Sequence, residues 1–139
     1  MIHILNFSHL VEYDTRLTGI SFAVKISAGQ NFAEFNVKID TGATDCIFSR
    51  KYGEQIGLDI ETGTPVEIST ATGMFKTYQH WITLSIFDFN YDIAACFSAD
   101  ENFSRNVLGR IGFLDHLIVG LNDYEGRLYM QNLAETWQQ

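Results

Sequence analysis

The sequence predicts a mainly β fold with one or two short helices. Three observations carry this. Apolar and polar residues alternate with period two in three separate stretches, the mark of strands with one buried face. Helix-like spacing is confined to two short segments. The chain has one proline, Pro65, and shows no internal repeat, linker or low-complexity tract. It therefore reads as one domain over residues 1–139, with a core spanning about 18–131 and a short extension at each end.

In chain order, Ile20, Phe22, Val24 and Ile26 share one face, with Ser21, Ala23, Lys25 and Ser27 on the other. Ala28-Gly29-Gln30-Asn31 reads as a hairpin turn into a second strand, where Phe35, Val37 and Ile39 alternate with Glu34, Asn36 and Lys38. Ile47-Phe48-Ser49 begins a further strand-like piece, and Ser49 is placed to cap a helix running through Tyr52 and Ile56 to Gly57. Val66 to Thr77 has strand-like arms around small residues and Gly73, which predicts a hairpin. Ile82, Leu84 and Ile86 alternate with Trp81, Thr83 and Ser85. The runs 91–97 and 117–121 are apolar enough for strands covered on both faces. Ile111, Leu114 and Leu117, spaced by three, predict a second short helix over 110–117. Asn122 to Gly126 then turns the chain into a last strand over 127–131.

Composition narrows the function. The chain has 139 residues and a mass of 15.8 kDa, with 46% apolar and 19% charged residues, which excludes disorder. Its net charge of −8 repels phosphate backbones and anionic lipid, so neither nucleic acid nor a membrane is an expected partner. No signal-peptide pattern and no long apolar run is present, so the expected location is cytoplasmic. On that reading the sequons at Asn6 and Asn102 are chance matches. Cys46 and Cys96 are expected to be free thiols rather than a disulfide framework. His3, His9, His80 and His116 are scattered without metal-ligand spacing, so no metal and no cofactor is expected. Gly109 and Gly112 are too few for a phosphate loop, and there is no Gly-x-Ser-x-Gly elbow. Cys46 lacks a nearby histidine base and reads as a packed thiol, not a nucleophile.

One segment stands out. Val37-Lys38-Ile39-Asp40-Thr41-Gly42-Ala43 runs a strand straight into an acid followed by a glycine. The glycine permits a sharp turn, the threonine hydroxyl is placed to fix the loop, and Ala43 leaves room beside the carboxylate. Taken alone, Asp-Thr-Gly is also an ordinary turn. Some sixty residues later, Val107-Leu108-Gly109-Arg110 leads into Gly112-Phe113-Leu114-Asp115.

With these pieces in this order, the chain resembles the retropepsin-type aspartic proteases, single-domain relatives of the retroviral proteases. The matching pieces are Asp40-Thr41-Gly42-Ala43, the hairpin around Thr70 to Thr77, and Val107 to Arg110 leading into Gly112 to Asp115. The resemblance covers roughly residues 18–131. It implies a closed, mostly antiparallel β-barrel-like fold, active as a symmetric homodimer on an extended peptide or protein. Asp40 is the implied catalytic acid, with Thr41, Gly42, Ala43 and Arg110 supporting the loop, and Thr72, Gly73 and Met74 forming a substrate-binding flap. Three positions depart from the family pattern. Lys38 stands where an apolar residue is usual, Thr44 where retroviral members place the aspartate that pairs with the arginine, and Ile111 where an acid follows Gly-Arg. Asp45 is the substitute partner for Arg110.

Two facing carboxylates that share a proton can activate a water and protonate a leaving amine. One chain carries one Asp-Thr-Gly, so the second acid must come from a second chain. The expected activity is that of an aspartic endopeptidase cleaving between apolar residues. The rival is a non-catalytic dimerisation or peptide-binding module on the same fold. A weaker third reading is a small ligand-binding barrel in which Asp40 is only a turn residue.

Overall fold

The computed structural model describes residues 1–133; the rest of the expected C-terminal extension lies outside the described residues. The strands are β1 (His9–Glu12), β2 (Ser21–Ala28), β3 (Asn31–Ile39), β4 (Ile47–Phe48), β5 (Thr64–Thr70), β6 (Gly73–Ile86), β7 (Phe89–Ser98), β8 (Val107–Leu108), β9 (Leu117–Asn122) and β10 (Arg127–Asn132). One helix, α1 (Arg50–Gln55), and a 3-10 turn at Ile60–Thr62 follow β4. The predicted mainly β class is the observed one.

Seven strands form one sheet in the order β2-β3-β8-β4-β7-β6-β5, and β2 also pairs with β6 over Lys25–Ser27. The sheet thus curls back onto its own first strand. Its inner face is the core, built from the alternating residues Phe22, Val24, Ile26, Phe35 and Val37 together with Phe48, Phe97 and Phe113, all buried. A second sheet, β1-β10-β9, is antiparallel and joins the two ends of the described chain. β1 lies ahead of residue 18, outside the stretch expected to form the core.

The hairpins follow the sequence. β2 and β3 meet at Gly29-Gln30, with Ala28 opposite Asn31. β5 and β6 meet at Ala71-Thr72, with Thr70 opposite Gly73. α1 starts after Ser49 as expected, but the Ser49 side chain makes no capping bond. Arg50 instead ties the helix to its surroundings, pairing with Glu54 at 2.7 Å and with Glu61 at 2.8 Å.

Two expectations need correction. The segment 110–117 is a series of turns, not a helix. Gly112 has φ +105, which a right-handed helix cannot contain, and its amide donates to Asp115 Oδ1 at 3.0 Å. Of the residues spaced by three, Ile111 is exposed, Leu114 packs partly buried against the core and Leu117 is buried at the start of β9, so the spacing follows no single helical face. The runs 91–97 and 117–121 are not covered on both faces throughout. β7 alternates until Ile93 and is buried on both faces only towards Ser98, while β9 leaves Leu121 exposed at the sheet's outer edge.

Candidate active site

Asp40 is the residue after β3, and β3 is held on both sides at that end. Ser21 of β2 pairs with Lys38, and Val107 and Leu108 of β8 pair in parallel with Lys38 and Ile39. The Asp40 amide donates to Leu108 O at 3.0 Å, so the acid leaves a fixed strand end. The chain then doubles back: Ala43 N–H donates to Asp40 O at 3.1 Å, and Gly42 N–H donates to Asp40 Oδ1 at 2.9 Å. That last bond orients the carboxylate and leaves Oδ2 facing out of the loop.

The backbone around Gly109 braces this loop from behind. Arg110 N–H donates to Ala43 O at 2.9 Å and Ile111 N–H to Thr44 O at 2.8 Å. A Cβ on residue 109 would stand 2.3 Å from Asp45 O and 2.6 Å from Ala43 O, so only glycine allows this approach.

Asp40 lines a groove of about 500 Å³. Gly42, Ala43, Thr44 and Asp45 form one wall, and Glu67 to Ala71 of the β5–β6 hairpin stand opposite. Its floor is a small apolar cluster in which Ala43, Ile68, Phe75 and Phe103 pack on buried Ile47, Cys96 and Val107. Phe75 and Phe103 stack with ring centroids 4.5 Å apart. The Asp40 side chain is 36% exposed at this surface.

The expected site residues separate in space. Asp40, Gly42 and Ala43 lie together in the groove. Thr41 is exposed, and among the described residues its hydroxyl makes no hydrogen bond. Thr72, Gly73 and Met74 stand at the hairpin tip around a smaller cavity of about 280 Å³, which they share with Phe103 and Arg105. Arg110 opens instead onto another surface pocket, with Thr44, Ile111 and Leu114. Among the described residues its side chain forms no ion pair, with Asp45 or any other acid.

The sequence pattern singled out neither Phe103 nor Arg105. Arg105 Nη2 donates to Asp40 Oδ2 at 3.4 Å, the one ion pair that the candidate acid makes among the described residues. Arg105 lies in a mostly polar segment, 102–106, without periodicity, and its contact spans 65 positions. The only available signal was its place two residues before Val107, whose strand runs beside β3.

Both thiols are buried and unpaired. Burial pushes Cys46 up to about 12 and Cys96 up to about 11, which leaves neither suited to act as a nucleophile. Among the described residues no helix is long and apolar enough to cross a membrane.

Comparison with known proteins agrees with this geometry. EIAV protease complexed with the inhibitor HBY-793 superposes with a TM-score of 0.55 at 18% identity, covering 72% of this chain and 88% of that one. At that identity the likeness concerns the fold, which is retropepsin-like. No curated protein matches the chain. The sequence profile of the aspartyl proteases matches residues 23–110, a stretch that runs from β2 through the Asp40 loop to Gly109 and Arg110. By that match over most of its length, the chain belongs to the aspartyl protease family.

Proposed function

We propose that the chain is an aspartic endopeptidase that works as a symmetric homodimer, with one Asp40 from each subunit forming the catalytic pair. The observation that carries this reading is the Asp40 loop: one carboxylate, oriented by Gly42 N–H, at the edge of an apolar-floored groove. This sequence holds a single Asp-Thr-Gly, which supports a second copy as the source of the other acid. The closed barrel expected of the fold is supported by the β2–β6 pairing.

In the dimer the two carboxylates share one proton, because like charges in contact disfavour double ionisation. The ionised member takes a proton from a water, whose oxygen attacks the amide carbon. The protonated member donates a hydrogen bond to the carbonyl oxygen, and a proton then passes to the departing amine. The β5–β6 hairpin, with Thr72, Gly73 and Met74 at its tip, closes over the substrate. It holds the peptide extended, as an added strand, and excludes water. Ile68, Phe75 and Phe103 favour apolar side chains.

The rival reading, a non-catalytic module, draws on the contact between Arg105 and Asp40, which occupies the acid in the free chain. One assay separates the two. Asp40→Asn keeps the shape but neither shares a proton nor acts as a base. It is expected to lower peptide hydrolysis by at least about two orders of magnitude while the protein stays folded and dimeric. Hydrolysis at the native rate by that variant would contradict the proposal.

A further inference from the structure

The groove carries a cation that the paired-carboxylate chemistry does not use. The Arg105 side chain is 57% exposed, and its single polar contact among the described residues is the 3.4 Å bond to Asp40. Most of its five N–H donors are therefore open to a ligand. Arg105 also borders a second cavity, of about 320 Å³, on the β3 side of Asp40. The two spaces differ in charge. Asp45 and Glu67 flank the main groove, whereas Lys38 joins Arg105 around the second cavity, where Asp40 is the sole acid. Asn36 and Asn106 add amide groups to its rim.

Taking the endopeptidase reading as given, we propose that Arg105 is the specificity-determining residue of the site. It selects substrates that carry a carboxylate side chain next to the scissile bond. A carboxylate entering the second cavity meets the Lys38 ammonium and a guanidinium fork shaped for two parallel N–H···O bonds. The one-sided contact to Asp40 is longer than a well-made charged hydrogen bond and yields to such a pair. Recognition and catalysis are then linked, because the acidic side chain draws the cation away from the catalytic oxygen. A neutral amide of the same shape does not.

The test uses decapeptide pools, randomised around one central position fixed as Asp, Asn, Leu or Lys. With products read by mass spectrometry, the native chain is expected to favour Asp over Asn about tenfold or more in kcat/KM, cutting beside the fixed residue. Arg105→Glu is expected to shift the preference to Lys, and Arg105→Lys to retain part of it. Equal rates on the Asp and Asn pools, or a preference that Arg105→Glu leaves unchanged, overturn the proposal. Fluorescence-polarisation binding of the same pools to Asp40→Asn separates selectivity from hydrolysis. Preferential capture of the Asp pool, with no cleavage by the native chain, supports the selectivity and removes the endopeptidase reading. Cleavage without selectivity does the reverse. If no pool is bound or cleaved, both fall.

Discussion

Within its loop Asp40 is oriented by the Gly42 N–H on Oδ1, and it owes its firmness to the paired strand end before it. Few residues need to be right for that arrangement, which is why it was legible: an alternating strand, an acid and a glycine stand in seven consecutive positions. Arg105 was not legible, because nothing local connects it to Asp40 across 65 positions. Arg110 was expected to support the loop, with Asp45 as its substitute partner. Its backbone amide braces Ala43, while its side chain turns to another pocket. Cys46 and Cys96 give a residue-scale prediction. Desolvation raises both thiols above the ordinary value of 9.0, so they stay protonated well into the alkaline range. Stability is indifferent to them below about pH 9; above it the thiols of the unfolded chain ionise first, so stability falls up to about 11 for Cys96 and about 12 for Cys46 and then levels off. At pH 8 a disulfide-exchange reagent is expected to leave the native thiols largely unreacted and to label both after denaturation. Fast labelling of the folded protein would show that burial does not protect them.

At the scale of elements, period-two alternation located β2, β3 and the last part of β6, because each buries one face there; β7 was read from its apolar run alone. Spacing by three misled at 110–117, where a loop mimics a helical pattern and Gly112, at φ +105, excludes a helix. The two-residue strands β4 and β8 are too short to show any period. They exist because β7 and β3 are there to pair with. Helix α1 offers a sharper test. Ser49 occupies the N-cap, but its side chain makes no capping bond, and its hydroxyl is buried without a partner among the described residues. Loss of a working cap costs about 1 kcal/mol. Here Ser49→Ala removes an unsatisfied hydroxyl instead, so the variant is expected to match the native stability or exceed it by up to about 1 kcal/mol. Denaturant unfolding gives the answer, and a loss of about 1 kcal/mol or more would mean that the hydroxyl does cap the helix.

At the scale of the molecule, the proposed mechanism gives each chain half of a catalytic pair, so assembly and activity are tested together. Each chain carries −8, and bringing two together sets their acidic surfaces against each other. Raised salt is expected to tighten the dimer by screening that repulsion. The most direct measurement follows peptide hydrolysis and molecular mass together across a dilution series, with mass photometry reporting the dimer fraction at each concentration. If two Asp40 residues from two chains make one site, activity per chain tracks the dimer fraction and disappears in the monomer. A species shown to be monomeric that cleaves peptide as fast per chain as the concentrated protein would contradict the shared-aspartate mechanism.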